Sequence, residues 1–429
     1  MRLNFGVPEL INIYQNYIKT GKVVLYYENK NNTNTPTKKE NRFVNNPISD
    51  NKEARNDLLF LEDVQRESTL ESFKEFMSES DGAFYDYECN FDGMSYEDFK
   101  TVLKKCSTVA DIRNMFPILS RKIYGKQLVY FDNAATSQRP QTVIDEWMRI
   151  SSESNGNIHR AVHRLADEAT QAYEAARDAV KDFLNAEFRE EIILPSGTTE
   201  AINLVAFSFG EAFVGEGDEV IVTEAEHHSN IVPWQMMCRR KGAVLKVLPV
   251  DDSGHLMVEK LDELITARTK IMAVTHISNV LGIINPVKDI IEKCHSKGVA
   301  VLVDGAQGAV HCRVDVQDLD CDFYVFSGHK LYAATGTGAL YGKKKWLEAM
   351  PPYMGGGEMV GTVKFSGTTY APLPMKYEAG TQNFASAATL KPAIEFINLL
   401  NNNELIKYND SVRDYLLEVL TKDERIRLY

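Results

Sequence analysis

The chain has 429 residues and a mass of 48.4 kDa, with 44% hydrophobic, 10% aromatic and 25% charged residues, an ordinary globular mixture long enough for two or three domains. No run of about 18 apolar residues occurs, so no membrane span is expected. A net charge of −12 disfavours a phosphate backbone as partner, so no nucleic acid is expected either. The six cysteines, at 89, 106, 238, 294, 312 and 321, contain no CxxC pair, which argues against a disulfide framework and against a metal site of known spacing.

The charge is uneven along the chain. Residues 1–50 hold seven Lys/Arg against four Asp/Glu, together with ten Asn, whereas residues 51–100 hold five Lys/Arg against fourteen Asp/Glu. An Asn/Lys-rich stretch poor in acid has the character of an organelle leader, or of a low-complexity tail from a biased genome. It lacks a long apolar segment, since Val23–Tyr27 is too short and comes too late for a secretory signal. Between 57 and 105, apolar residues such as Leu58, Leu59, Leu61, Val64, Phe73 and Phe76 are interleaved with acids and predict short amphipathic helices. The chain therefore divides into a leader at 1–50, an acidic extension at 51–120, a large body at 121–390 and a small C-terminal part at 391–429.

In the body, strand and helix patterns alternate. Strands are predicted at Val129–Phe131, Glu191–Leu194, Glu219–Thr223, Val244–Pro249, Ile271–Thr275, Val299–Val303 and Phe323–Ser327. Helices are predicted at Ala166–Leu184, Thr199–Phe213, Ile231–Lys241, Glu259–Ile265 and Val287–Lys297. The strands are continuous Val/Ile-rich runs, as expected when helices cover both faces. The fold class is α/β around a mainly parallel sheet, in which ligands sit beyond the carboxyl ends of the strands.

Four of those strand ends carry chemistry. After Glu191–Leu194 comes Ser196-Gly197-Thr198-Thr199-Glu200, small and hydroxyl residues opening a helix: an anion cup, or a plain helix cap. After Glu219–Thr223 come His227 and His228, which can offer an imidazole to stack on a flat ring, or form a surface loop. Asp304-Gly305-Ala306-Gln307 follows Val299–Val303; its carboxylate can hold a proton on a heterocyclic nitrogen, or cap the next turn. Ser327-Gly328-His329-Lys330 follows the last strand, and a partly desolvated lysine can form a Schiff base, or simply reach for solvent. His159 and His163 have i, i+4 spacing but lack the Glu of a zinc motif. Read as a set in chain order, cup, stacker, pyridinium partner and lysine are what pyridoxal 5′-phosphate requires.

The segments Phe131–Thr136, Ser196–Glu200, Glu226–Trp234 (EHHSNIVPW), Thr275–Gly282 (THISNVLG), Val303–Gln307 (VDGAQ), Asp320–Leu331 (DCDFYVFSGHKL) and Glu378–Asn383 (EAGTQN) closely resemble the SufS group of cysteine desulfurases, in the class V, fold-type I aminotransferase superfamily. The resemblance runs from about Tyr130 onward. It implies a pyridoxal-phosphate enzyme that converts L-cysteine to L-alanine and passes sulfur on as a persulfide for iron–sulfur cluster assembly. Lys330 would carry the cofactor and shuttle protons, His227 would stack on its ring, Asp304 would pair with the ring nitrogen and Gln307 would contact the ring hydroxyl. Thr198, Thr199, Ser327 and His329 would hold the phosphate, and Thr381 would reach the phosphate of a partner subunit in a homodimer. Asn279, His159 and Arg160 would lie near the substrate. The family also implies a SufE- or SufU-like sulfur acceptor. Two departures are Pro195-Ser196 before the cup, where a basic residue is usual, and Ala161, where glycine is usual after the His-Arg pair.

A larger departure concerns the nucleophile. The family's acceptor cysteine sits on a loop of a small C-terminal α+β domain, in an Arg-x-Gly-His-x-Cys setting. Here the sequence ends at Tyr429, in what looks like the first part of that domain, and none of the six cysteines has those neighbours. Cys294, Cys312 and Cys321 are expected to be structural. The rival readings are a selenocysteine lyase or other class V enzyme, and a truncated, non-catalytic polypeptide. A long N-terminal extension on a SUF-type body implies a nucleus-encoded protein sent to a plastid-type, apicoplast-like organelle.

Overall fold

The computed structural model describes residues 109–159, 162–400, 403–423 and 425–426. The leader, the acidic stretch up to residue 108 with its predicted amphipathic helices, Cys89, Cys106 and Arg160 lie outside the described residues.

A seven-stranded sheet organises the chain, in the order β3-β9-β8-β7-β6-β4-β5. Its strands are β3 (Ile192–Ile193), β4 (Glu219–Thr223), β5 (Val244–Leu248), β6 (Thr269–Thr275), β7 (Ala300–Asp304), β8 (Phe323–Ser327) and β9 (Gly338–Gly342). Strands β5, β4, β6, β7 and β8 are mutually parallel, while β9 runs antiparallel to both β3 and β8. Two hairpins lie outside the sheet: β1 (Lys122–Ile123) with β2 (Lys126–Gln127), and β10 (Val360–Lys364) with β11 (Gly367–Tyr370).

The continuous apolar strands are explained by the period of two. Ile221, Met272, Val274, Val301, Val303, Tyr324, Phe326 and Tyr341 face one core, and Val220, Val222, Ile271, Ala273, Leu302, Phe323, Val325 and Leu340 face the other. The first core is closed by α3 (Arg164–Leu184), α7 (Val287–Ser296) and α12 (Leu390–Leu400). The second is closed by α4 (Thr198–Phe213), α5 (Val232–Lys241) and Leu347 of α10 (Lys344–Ala349). The remaining helices are α1 (Val109–Asn114), α2 (Gln141–Glu153), the short turns α6 (Leu261–Leu264), α8 (Gly308–His311), α9 (Val316–Leu319) and α11 (Phe384–Ala388), and α13 (Asn403–Thr421). Among the described residues, buried side chains begin with Met115 and Phe116; the Phe116 ring meets those of Tyr332 and Phe396 at 5.8 and 5.5 Å.

Helix ends follow local chemistry. The His163 ring caps α3 by accepting from the Ala166 N–H, and Asn185 ends the helix in the left-handed region. Pro233 occupies the first turn of α5 and Gly242 closes it at φ +68°.

Three expectations are corrected. Val129–Phe131 forms no strand. The stretch is held by local contacts instead, the Tyr130 hydroxyl donating to the carbonyls of Asp132 and Thr136 at 3.1 and 3.0 Å and Arg113 donating to that of Leu128 at 3.2 Å. The helix expected at Glu259–Ile265 is a 3-10 turn, Val258–Lys260, followed by the single turn α6. The sheet also gains β9, whose Gly-Ala-rich sequence carries little strand signal. No helix among the described residues is long and apolar enough to cross a membrane.

Candidate active site

The strand ends predicted to carry chemistry lie on one edge of the sheet, because β4, β6, β7 and β8 are parallel and β3 shares their direction through the reversed β9. At these strand ends or just beyond them stand Thr198 and Thr199, which open α4 after β3, His227 after β4, Asn279 after β6, Asp304 at the end of β7 with Gln307 beyond it, and Ser327 at the end of β8 with His329 and Lys330 beyond it.

The anion cup is built by two distant segments. The Ser327 hydroxyl accepts from the Thr198 N–H at 2.9 Å and donates to the Thr198 hydroxyl at 2.8 Å. Gly197 stands at the N-cap of α4 with φ +150° and no side-chain cap, so the first turn keeps amides available to an anion. A Cβ on Gly197 would approach the Ser327 hydroxyl to 3.1 Å. Gly338, the register partner of Ser327 on β9, gives up its side chain for the same approach, since a Cβ there would fall 2.7 Å from the Gly197 Cα. Thr199 Oγ1 lies 2.8 Å from the Ser229 hydroxyl, linking the cup to the His227 loop. The Glu200 carboxylate accepts from the Ser196 N–H at 2.7 Å, so the cup carries one acid at its mouth.

Lys330 ends a 3-10 turn directly after β8. It is close enough to Asp304, His227 and His329 to influence the titration of all three. The turn is pinned from the other side of the sequence. Ser137 donates its N–H to the His329 carbonyl at 3.0 Å and its hydroxyl to the Lys330 carbonyl, and accepts from the Tyr332 N–H at 3.2 Å. Asp304 is 3% exposed, and its side chain accepts from the Ala306 N–H at 2.9 Å. Burial raises its pKa, and the Ala306 amide and the Lys330 ammonium act against that rise. A buried carboxyl of this kind favours a cationic neighbour. Gly305 is required beneath it, because a Cβ there would collide with the Tyr324 ring.

His227 is exposed at the mouth, with ring Nδ1 accepting from the Ser229 N–H at 3.1 Å. Burial, followed by the charge of Lys330, lowers its pKa, which favours a neutral ring. His329 is likewise lowered by burial, then by Lys330 and Arg139, and its Nδ1 lies 3.2 Å from the Thr136 hydroxyl. Gln307 is buried and donates from Nε2 to the Ala134 carbonyl at 3.0 Å. Asn279 occupies the tip of the turn after β6, closed by the Ser278 and Gly282 amides. His159, at φ +62°, places Nε2 3.0 Å from Glu174 on α3, and Thr381 is exposed.

Other residues of the site belong to the motifs or adjoin them but were assigned no role from the sequence. Glu226 is buried and accepts from the Thr223 hydroxyl at 2.6 Å, the Thr275 N–H at 2.8 Å and the Asn230 amide at 2.7 Å; Asn230 in turn accepts from the Trp234 indole at 3.0 Å. Burial pushes the Glu226 pKa up to about 8, assisted by Asp304 and opposed by the three donors. Thr136 ends the Phe131–Thr136 motif and Ser137 follows it directly. That proximity was the available signal for them.

These groups fit pyridoxal 5′-phosphate on the structure's own terms. The close Gly197–Gly338 approach seats the first turn of α4 beside the Ser327 hydroxyl, the buried Asp304 suits a protonated ring nitrogen, the neutral His227 suits a ring face, and Lys330 is near enough to both to influence their titration.

Comparison with known proteins gives the family. Residues 129–429 match the family profile "Aminotransferase class-V". A cysteine desulfurase of Enterobacter sp. (strain 638) is 48% identical over 322 residues, covering 75% of this chain and 79% of the relative. The crystal structure of the Escherichia coli cysteine desulfurase CsdA is 42% identical with a TM-score of 0.62, covering 70% of this chain and 73% of that one. The apo cysteine desulfurase of Thermococcus onnurineus is 34% identical with a TM-score of 0.65, covering 69% and 72%. The chain belongs to the class V aminotransferase family and, within it, to the cysteine desulfurases.

Proposed function

We infer that the chain is a pyridoxal-phosphate-dependent cysteine desulfurase, taking L-cysteine to L-alanine and passing the sulfur to a thiol as a persulfide. The observation that carries this reading is the convergence of Lys330, Asp304, His227 and the Ser327–Thr198 cup on one sheet edge, in a chain 48% identical to a cysteine desulfurase. When bound, the cofactor supplies a carbonyl that captures an amine and a ring that accepts electrons. The chain's own residues do the rest. Thr198, Thr199 and Ser327, with the open amides of α4, hold the phosphate. Asp304 would hold a proton on the ring nitrogen, His227 would cover the ring face, and the Lys330 Nζ would hold the cofactor and move the proton at the substrate Cα.

The balance is L-cysteine plus a thiol giving L-alanine plus a persulfide. Among the described residues the thiol has no evident candidate. Cys238, Cys294 and Cys321 are buried, and burial pushes their pKa values up, to about 11 for Cys238 and about 12 for Cys294; burial raises Cys312 as well. A protonated thiol is a poor nucleophile. We place the enzyme in the SUF pathway of iron–sulfur cluster assembly, as a SufS-type homodimer serving a SufE- or SufU-like acceptor in a plastid-type organelle. The EHHSNIVPW and THISNVLG motifs and the Asn/Lys-rich residues 1–50 support that finer reading.

The test is reconstitution of the full chain with pyridoxal phosphate. Borohydride reduction and peptide mapping should find the cofactor on Lys330, and L-cysteine should exchange its Cα proton with solvent deuterium. Lys330→Ala should lose both. A different modified lysine, or exchange that survives Lys330→Ala, would refute the assignment.

A further inference from the structure

The Glu226 network performs a task that the ring, phosphate and lysine contacts leave unassigned. Glu226 and Asn230 flank the segment His227-His228-Ser229, and their side chains join at 2.7 Å, closing it into a short loop. Within that loop the Asn230 N–H donates to the His227 carbonyl at 2.8 Å, and the Ser229 N–H donates to the His227 ring. The closing bond is oriented from outside. The Trp234 indole can only donate, so its 3.0 Å bond fixes the Asn230 oxygen toward α5 and turns the amide N–H₂ toward Glu226. Glu226 is in turn tied to the end of β4 through Thr223 and to the end of β6 through the Thr275 amide. The arrangement presents the exposed His227 ring and the half-buried Ser229 hydroxyl, the latter 2.8 Å from Thr199 of the cup.

We propose that Glu226 is a positioning residue for the cofactor site. By joining Thr223, Thr275 and Asn230 it closes the 227–229 loop and sets His227 over the ring and Ser229 against Thr199. This rests on the cofactor reading above.

Equilibrium binding of pyridoxal phosphate to the full chain, with visible circular dichroism of the bound cofactor, tests it. Glu226→Ala should weaken binding about tenfold and change the dichroic band, which reports ring orientation rather than stability. Trp234→Phe, which removes the indole donor together with part of a buried ring, should weaken binding about threefold with the same spectral change. In a His227→Ala background the Glu226→Ala loss should shrink to about threefold or less, since residues that act through one another are not additive. Equal loss in both backgrounds would overturn the proposal, as would unchanged binding in Glu226→Ala. If Glu226→Ala fails to unfold cooperatively, Trp234→Phe decides, and unchanged binding there overturns it. A wild-type chain that takes up no pyridoxal phosphate overturns the functional reading itself.

Discussion

Arg177 and Glu378, 201 positions apart, form a two-pronged ion pair at 2.7 and 2.8 Å with both side chains almost wholly buried. The pair ties α3 to the segment that leads to Thr381. The Arg177 guanidinium also donates to the Ile192 carbonyl at 2.7 Å and to Glu174, while Glu378 accepts from the Leu194 N–H at 3.0 Å. Glu174 continues the chain of contacts to His159. Burial works against the charge on Glu174, but His159 and Arg177 prevail and hold its pKa at about 2. Two segments remote in sequence, around His159 and around Thr381, are thus braced by one set of charges.

Removing one member leaves its partner charged and buried. Arg177→Met and Glu378→Leu should each cost about 3–5 kcal/mol in urea unfolding. The double variant should cost less than the sum, because the orphaned charge is gone. Strict additivity would mean that the pair is not coupled in solution.

Asp304→Asn keeps the shape of the site but removes the charge that retains a proton on the ring nitrogen. Cofactor should still bind, and exchange of the L-cysteine Cα proton should slow by about 10²-fold or more. Exchange at the wild-type rate would contradict the assigned role.

The buried cysteines should stay inert. During L-cysteine turnover by residues 1–429, mass spectrometry should find little persulfide on Cys238, Cys294 or Cys321, and of the four described cysteines a brief alkylation should reach Cys312, the partly exposed one, first. Robust persulfide on any of the four described cysteines would show that the chain carries its own acceptor there.

A pH-dependent brace lies at the opposite edge of the sheet. His295 places its two ring nitrogens 2.8 Å from Asp322 and 3.1 Å from Asp320, and Asp322 also accepts from the Trp346 indole at 2.7 Å. The hydrogen bond to Asp322 raises the His295 pKa. Burial works to raise that of Asp322, but the bonds from His295 and Trp346 keep it low. A raised histidine contributes fully below its unfolded value of about 6.5 and loses that contribution as pH rises through the folded value. A lowered aspartate contributes above about 3.9 and loses its part on further acidification. Melting temperature should therefore fall as pH rises above about 6.5, where the raised Glu226 acts in the same direction, and His295→Gln should flatten that limb in part. An unchanged slope in the variant would remove His295 as its cause.

Much of the site was legible because its residues follow apolar runs. Glu219–Thr223 and Phe323–Ser327 occur with the predicted bounds, and the hydroxyls, Asp304 and Lys330 stand where a parallel sheet presents its ligands. What was illegible depends on contacts without a local pattern. β9 reads as Gly-Ala-Leu-Tyr-Gly and becomes a strand only between β3 and β8. Ser137 matters through a lysine 193 positions away, and Arg177 reads as one more surface charge on an Ala-rich helix until Glu378 is placed beside it. Glu226 stood inside a quoted motif, but its task is visible only once Thr275 and Trp234 are set around it.

The reversed strand β9 also orders events during synthesis. β3 pairs with no other strand of the sheet, so the cup that follows it has no wall until Gly338–Gly342 is in place. Thr198 and Ser327 must then meet across 129 positions, with Gly338 slotted beside them. A nascent chain halted before β9 would carry the histidine loop, the aspartate and the lysine without a seat for the phosphate, so cofactor acquisition has to follow the synthesis of β9.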